Sequence, residues 1–426
     1  HPVPSGPVSF SLDSMVSNSS DRGEFRPAPK IGEHTVAVLK ELDAFKTTTP
    51  RITPDASVVD SSPLEGIRIV DMTQVWSGPY ATRFLADMGA DVIKVEGPTF
   101  PDSMRTVGGA RTTPEINISP YFSEYNRGKR SLVIDIKQES GQKALKKLIS
   151  TADVFVENWS SGVAERNELG YKDLISLNPQ IVYVSMPGFG HTGSDASRVG
   201  YGPTIEQMGG LVALQGYEGG APHKSGISYG DPIAGATCAA AIVSGLLYRE
   251  RNGTGCYSVL PQRDGVTGLV GEFMIAESLG WPMEYRIGNG GHGSTPHNVY
   301  PCNPDLKPRK VLGSDRYPVS EVFDRWLAID CRTNEEWRSL IKVIADPRLL
   351  QSKYNALSAR ESDSEKIDEI ISDWTSRLNA DETASLLQSH GINASAVQTA
   401  LLLLSDSHLE KRNNFISVSH DEVGIH

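Results

Sequence analysis

Several stretches of this sequence hold residue types that can do chemistry. His191 sits in a glycine-rich turn, Pro187-Gly188-Phe189-Gly190-His191-Thr192-Gly193, where an imidazole can serve as acid or base near neutral pH. Carboxylates follow it: Asp195 in the adjoining loop, Glu206 on the next helical stretch, and Asp231 at the head of a small-residue helix. At that last position an N-cap role competes with a catalytic one. The run Asn126-Arg127-Gly128-Lys129-Arg130 offers cations to an anionic ligand, and its plainer reading is a solvated turn. The turn Ser77-Gly78-Pro79 follows a strand and opens a helix. Free N–H groups there can receive a nucleotide-bearing ligand, although most such turns in α/β proteins bind nothing.

Hydrophobic patterning places these residues on elements. Ile67 to Met72 reads as a strand, Tyr80 to Met88 as an amphipathic helix and Asp91 to Val95 as a second strand, which makes one βαβ unit. Further strands are predicted at Ser131 to Asp135, Val154 to Glu157, Ile181 to Met186 and Cys256 to Leu260. Helices are predicted at Gly141 to Ser150, from Pro203 through Met208, and at Ile233 to Arg249. The pattern predicts an α/β fold with an open parallel Rossmann-like sheet over 63–281. A smaller α+β domain is predicted over 282–426, with strands at Arg325 to Ile329 and Ile392 to Val397 and a helix from Leu401 to Arg412. Gly288 to Thr295 reads as loop, and Pro304 to Val322 gives no pattern. Residues 1–45 resemble the end of a module, and 46–62, with prolines at 50 and 54, read as a linker.

Composition narrows the class. With 426 residues and 38% hydrophobic content the chain can bury a large core. A formal net charge of −11 argues against a general nucleic-acid or membrane-surface binder. No uninterrupted apolar run in the sequence approaches the roughly 18 residues that span a bilayer. The four cysteines are widely spaced and form no CxxC pair. That predicts no structural zinc and a reducing compartment, the cytoplasm first, with the mitochondrion and the peroxisome as alternatives.

Several motifs occur in order: the βαβ unit at 64–96, Asn126–Lys137, Glu157-Asn158-Trp159 within 156–171, Tyr183–Gly193, Asp231–Gly235 and Arg249–Val259. Together they resemble the class III CoA-transferase family, the group that includes formyl-CoA and carnitine CoA-transferases and α-methylacyl-CoA racemase. The resemblance also bears on the N-terminus. Family members end with a segment similar to Arg26–Leu42. The segment just before it is similar to His420–His426 followed by His1–Pro4. The order in this chain therefore looks rotated, as in a circularly permuted copy or a chain cut across two tandem copies.

The resemblance implies coenzyme A or acyl-CoA as substrate, a carboxylate as second substrate, and no metal. By motif, Gln74, Val75, Trp76 and Ser77 would meet the thioester and pantetheine. Lys129 or Arg130 would meet the CoA phosphates, and Asn158, Trp159 and Arg166 would hold the pantetheine and adenine-phosphate parts. For Trp159 the plainer reading is core packing. An interlocked homodimer, or an intramolecular pseudo-dimer, is implied as well. The family's transferases use an aspartate nucleophile through acyl-anhydride and CoA-thioester intermediates. The corresponding position here is Gly202, which can neither form an anhydride nor move a proton. His191, Glu206 and Asp231 are the substitutes the sequence offers. The activities in view are acyl-CoA:carboxylate CoA transfer or a relative with altered chemistry, a non-catalytic CoA-binding half of a tandem protein, and 2-methylacyl-CoA racemisation.

Overall fold

Ile69, Val70, Val92, Ile93, Val154, Phe155, Val182 and Val184 are all buried to 1% exposure or less. Strands this apolar on successive residues must be covered on both faces, which is the environment of a parallel sheet between helical layers. A computed structural model of the chain describes residues 3–4, 27–44, 62–107, 115–281, 283, 285–291, 293–305, 323–417, 419–420 and 424–425. In order, the first part contains α1 (Thr35–Ala44), β1 (Arg68–Asp71), α2 (Ser77–Asp87), β2 (Asp91–Glu96), α3 (Pro120–Asn126), β3 (Arg130–Val133) and α4 (Glu139–Ile149). There follow β4 (Val154–Glu157), α5 (Val163–Arg166), α6 (Tyr171–Leu177), β5 (Val182–Ser185), α7 (Gly202–Met208), α8 (Leu211–Leu214), α9 (Gly230–Asn252), β6 (Cys256–Val259), α10 (Gln262–Gly268) and α11 (Gly271–Ser278).

The six strands form one parallel sheet in the order β3-β2-β1-β4-β5-β6. The chain winds outward from β1 in one direction, then returns and winds outward from β4 in the other. The order therefore reverses between β1 and β4, where crossovers diverge and leave a crevice at the strands' carboxyl ends. Alternate residues face opposite layers. Val70, Ile93 and Phe155 pack with Val38 and Leu42 of α1 and Leu145 and Leu148 of α4. Ile69, Val92 and Val154 pack with Ala81 and Leu85 of α2 and Ala234, Cys238 and Ile242 of α9. By length and composition α9 alone among the described helices matches a membrane span; its buried face belongs to this core. Its small residues have a steric reason. A Cβ on Gly235 would lie 2.6 Å from the Ser77 carbonyl oxygen, so glycine lets α9 cross directly over the first turn of α2.

The segment before α1 covers the free edge of β3. His34 N–H donates to Ser131 O at 3.0 Å, Ser131 N–H to His34 Nδ1 at 3.2 Å, and Val133 N–H to Thr35 Oγ1 at 2.9 Å. An exposed strand edge is thereby satisfied within the chain.

The chain divides into two compact units. The second comprises 215–222 and 284–406; the first takes the rest, including 407–426, which the sequence reading had given to the small domain. The second unit carries β7 (His297–Asp305), β8 (Phe323–Asp330), α12 (Asn334–Ile344), α13 (Leu357–Ser362), α14 (Ser364–Thr375), α15 (Ala380–Ser389), β9 (Asn393–Ala396) and α16 (Ala400–Leu403). Its three strands are antiparallel in the order β9-β8-β7.

Three expectations are corrected. Ser77-Gly78-Pro79 is the first turn of α2, not a turn ahead of it; proline is at home there because first-turn N–H groups have no intrahelical acceptor. The helix predicted from Leu401 to Arg412 is two short ones, α16 and α17 (Ser407–Lys411), parted at Ser405-Asp406, whose side chains compete for backbone groups. β7 was not foreseen, because Pro301 and Pro304 disguise it; an edge strand tolerates them. The predicted linker 46–62 lies almost wholly outside the described residues, and so does most of 304–322.

Candidate active site at the sheet switch point

The turn that leaves β1 at the switch point is held from several sides. Asp71, the last residue of β1, accepts Thr73 N–H at 2.9 Å and the Thr82 hydroxyl at 2.7 Å. Lys94 of β2 donates to the Thr73 carbonyl and, at 2.8 Å, to Asp102 Oδ2. Asp102 Oδ1 accepts Val75 N–H at 3.1 Å. The Asn158 side chain, just past β4, accepts Gln74 N–H at 2.9 Å and donates to Gln74 O at 2.8 Å. Val75 adopts φ 70°, a left-handed conformation that a β-branched residue takes only when its surroundings impose it. The turn is thus a preset shape. Behind it, Asp102 N–H donates to Glu96 at 2.9 Å, and Glu96 holds Arg105 through contacts of 2.8 and 2.7 Å. Burial alone would raise the Asp71 carboxyl, but Lys129 and Lys94 outweigh it and hold it down at about 2.

This geometry changes the expected role of the turn. The N–H groups of Thr73, Gln74 and Val75 are engaged within the protein, and that of Ser77 lies beside the Asp231 carboxylate. The turn therefore offers a ligand its shape more than a row of free donors. Trp76 stacks on Tyr125 at 5.3 Å, and its buried Nε1 has no acceptor among the described residues. Trp159 packs at the margin of the core, and its N–H donates to Glu157 at 2.7 Å.

Two cations assigned to CoA phosphates point elsewhere. Lys129 is enclosed, with contacts to Asp71 at 3.1 Å, Pro79 O at 3.0 Å and Asn126 at 2.9 Å, so its three N–H groups are taken. Burial pushes its ammonium down to about 8, with Asp71 acting against that. Arg130 opens β3 at the amino end of the sheet, opposite the crevice. There it pairs with Asp91 at 3.1 Å and Glu41 of α1 at 2.8 Å, and Arg68 closes the group on Asp91 at 2.8 Å. Rather than standing free in a solvated turn, these two cations of the basic run are paired within the protein, and Arg130 ties α1 to the strand ends. Arg166 differs. It is exposed, ends the short α5 on the carboxyl side of β4, and its guanidinium has no partner among the described residues.

The missing acid at position 202 has a spatial explanation. A Cβ built on Gly202 would lie 1.9 Å from Asp231 Oδ2 and 2.6 Å from Ser228 Cβ. The carboxylate of Asp231 occupies the room where a side chain at 202 would begin. Asp231 lies in the first turn of α9, beside the Ser77 backbone in the first turn of α2, and is 7% exposed. Two helix N-termini therefore face it, which favours an anion. Burial and the neighbouring Glu206 nevertheless push its carboxyl up to about 7. Glu206 is 1% exposed; it accepts the Ser225 hydroxyl at 2.9 Å and the Tyr229 N–H ahead of α9. Glu206 and Asp231 form a buried acidic pair beside the switch-point turn.

His191 belongs to a different group. Its Nε2 lies 2.9 Å from Ser185 Oγ and its Nδ1 lies 3.1 Å from Ser161 Oγ. Ser185 lies in register with Glu157 of β4, whose carboxylate is 2% exposed and pushed up to about 7 by burial. No hydrogen bond among the described residues joins His191 to Asp231 or Glu206. Asp195 is neutralised by Arg263 at 3.0 Å and Arg198 at 2.9 Å. No three His, Cys, Asp or Glu among the described residues are placed to hold a metal ion. Sequence reasoning missed Asp71, Lys94, Asp102 and Glu157. The available signal was a lysine inside Asp91-Val-Ile-Lys-Val-Glu96, a run the fold must bury on both faces.

Residues 64–426 match the family model described as CoA-transferase family III. Succinyl-CoA–D-citramalate CoA-transferase of Chloroflexus aurantiacus is 30% identical over 364 residues, covering 85% of this chain and 85% of that protein. Succinyl-CoA:glutarate CoA-transferase of Mus musculus is 30% identical over 379 residues, covering 87% and 80%. Formyl-CoA:oxalate CoA-transferase of Streptomyces coelicolor is 30% identical over 375 residues, covering 85% and 86%. Among solved structures, a CAIB/BAIF family protein from Brucella suis aligns with TM-score 0.71 at 26% identity, covering 86% of this chain and 94% of that one.

Proposed function

We propose that this chain, which belongs to CoA-transferase family III, moves CoA from an acyl-CoA thioester to a free carboxylate, with short dicarboxylic acids as the substrate class. The observation that carries this reading is the Asp231 carboxylate in the space left at Gly202, beside Ser77 at the end of the preset Gln74–Ser77 turn. The relatives named above, which act on succinyl-CoA with citramalate or glutarate and on formyl-CoA with oxalate, support the substrate class. They are named for CoA transfer, so racemisation is not the favoured reading.

In this proposal CoA lies over Gln74, Val75, Trp76 and Ser77. Asn158 and Trp159 form the facing wall, and Arg166 meets a phosphate. The Asp231 carboxylate attacks the thioester carbonyl and CoA leaves as thiolate, giving a mixed anhydride. The thiolate then attacks the aspartyl carbonyl, releasing the donor acid and leaving an aspartyl-CoA thioester. The acceptor carboxylate repeats the two steps in reverse, so the thioester bond energy is never lost to water. A carboxyl raised to about 7 by burial and Glu206 is partly ionised at neutral pH and more basic than an ordinary carboxylate, which favours attack. The proposal extends to assembly as a homodimer or a pseudo-dimer of two modules, which light scattering of the purified protein would resolve.

The test incubates the protein with succinyl-CoA and glutarate, citramalate, mesaconate or oxalate and follows new acyl-CoA by chromatography. New acyl-CoA, lost in Asp231→Asn, supports the reading. CoA binding without exchange from any donor would overturn it in favour of a non-catalytic CoA-binding module.

A further inference from the structure

His191 and Glu157 are titratable groups that CoA exchange through Asp231 does not use. They are brought together across two neighbouring strands: His191 hydrogen-bonds Ser185 and Ser161, and Ser185 lies in register with Glu157. Glu157 ends β4 and is enclosed, Ser185 ends the neighbouring β5, His191 lies in the turn after β5, and Ser161 lies in the loop after β4. Glu157 and Ser185 are register partners on β4 and β5, which sets the enclosed carboxylate beside the Ser185 hydroxyl, and the hydroxyl oxygen can accept from His191. With Nε2 carrying the hydrogen toward Ser185 at 2.9 Å, Nδ1 keeps its lone pair for the Ser161 hydroxyl at 3.1 Å. The order is therefore hydroxyl, imidazole base, relaying hydroxyl, buried carboxylate. A nucleophile bonded to a base, with the base oriented by a third group, is the arrangement that activates a serine. Ser161 and His191 are part-buried, so the pair lies within reach of the surface. Gly162, the residue after Ser161, has φ 79°; a Cβ there would lie 3.0 Å from Arg166 Nη1, a guanidinium with no partner among the described residues.

We propose that Ser161, His191, Ser185 and Glu157 form a second acyl-transfer centre, which hydrolyses acyl-CoA thioesters and activated esters. Ser161 Oγ bonds to the carbonyl carbon as its proton passes to His191 Nδ1. The carbon–sulfur bond breaks and the thiolate takes that proton, leaving CoA thiol and an acyl-serine ester. Water then attacks the ester carbonyl, giving its proton to Nδ1, and Ser161 Oγ leaves with that proton. The sum is acyl-CoA plus water to carboxylic acid plus CoA. Ser185 and Glu157 are positioning residues that fix the imidazole tautomer. Only the thioester substrate rests on the proposed CoA site; the serine chemistry does not.

The test uses a fluorophosphonate probe, p-nitrophenyl acetate and succinyl-CoA on the whole chain. Peptide mapping is expected to place the phosphonate on Ser161, with labelling lost in Ser161→Ala and His191→Ala. Ester hydrolysis is expected to fall about a hundredfold in Ser161→Ala, and the ratio of succinyl-CoA hydrolysis to CoA exchange at least tenfold. Glu157→Gln, which keeps the side chain's shape, is expected to slow labelling without abolishing it. If CoA exchange is absent but Ser161 is labelled and esters are hydrolysed, the transferase reading fails and this centre stands. Wild-type protein without labelling, or hydrolysis unchanged in Ser161→Ala, overturns the inference.

Discussion

The stability of the Asp231→Asn variant gives the most direct measure of the acidic pair. The native carboxyl sits at about 7, against an ordinary value of 3.8. The shift is about three units, and at ~1.4 kcal/mol per unit the ionised native carboxylate costs about 4 kcal/mol. At 7% exposure solvent screens little of this. The sign follows from proton counting. Below 3.8 both folded and unfolded chains hold the proton and there is no penalty. Between 3.8 and about 7 the folded chain keeps a proton that the unfolded chain has lost, so stability falls as pH rises; above about 7 the penalty is complete. Asparagine removes the titration, keeps an oxygen beside the Ser77 N–H, and offers N–H donors to Glu206 where a like charge had been. The variant is therefore expected to be more stable than wild type, with a gap that widens by about 2 kcal/mol from pH ~5.5 to pH ~8. Paired thermal melts across that range read the gap. The titration of Glu157, also near 7, is common to both proteins and cancels. A gap that does not change with pH, or a variant less stable than wild type at pH ~8, would refute the placement of a buried, charge-coupled Asp231. If the variant also loses CoA exchange, the carboxylate is kept for function against its effect on folding.

Other perturbations test neighbouring parts of the site. Gly202→Ala places a Cβ 1.9 Å from Asp231 Oδ2 and is expected to lower both melting temperature and exchange. Gly202→Asp is expected to fail alone and to regain exchange when paired with Asp231→Gly, which an acyl-exchange assay of the three proteins would decide. Glu206→Gln removes the charge that helps raise Asp231, so the ascending, acid-side limb of the exchange rate is expected to move to lower pH, as read from a pH–rate profile. Asn158→Ala strips two hydrogen bonds from Gln74 and is expected to raise KM for acyl-CoA about tenfold, in line with ~1–3 kcal/mol for backbone groups left unpaired. Arg166→Gln is expected to raise KM for CoA in a salt-dependent way, whereas Arg130→Gln is expected to lower the melting temperature and leave KM unchanged, because its ion pairs lie at the amino end of the sheet.

Much of the large unit was legible in the sequence because its signals are local. Strands buried on both faces read as short apolar runs, and crossover helices read as amphipathic stretches, so β1 to β6 and α2, α4 and α9 fall within a few residues of their predicted places. The strand order was not legible, since apolar runs do not say which neighbours pair; the reversal between β1 and β4 is what turns one βαβ turn among several into the crevice. Buried charge was misread for a related reason. Lys94, Asp71 and Lys129 are each unremarkable in sequence. Only the fold brings them into one enclosed group, whose effect is to fix the backbone of Thr73 to Val75. Lys129 and Arg130 are adjacent yet serve opposite ends of the sheet. Lys129 reaches in toward Asp71 at the carboxyl end of β1, while Arg130 pairs with Asp91 at the amino end of β2.

Position 202 shows most clearly what spacing along a chain can and cannot reveal. Motif spacing places glycine where a carboxylate is expected, and the natural search is along the same helix, which leads to Glu206. The replacement that the geometry offers comes from another helix. Because Gly202 has no Cβ, the first turn of α9 can bring Asp231 into that space, and the two residues are coupled by exclusion: a side chain at 202 and a carboxylate from 231 compete for one volume. Glu206 then acquires a different part. It accepts the N–H of Tyr229 ahead of α9, which fixes the approach of Asp231, and its charge raises the basicity of the carboxylate it positions. The Gly202→Asp, Asp231→Gly exchange tests whether one carboxylate in that volume is enough: the doubly substituted protein is expected to work where each single substitution does not.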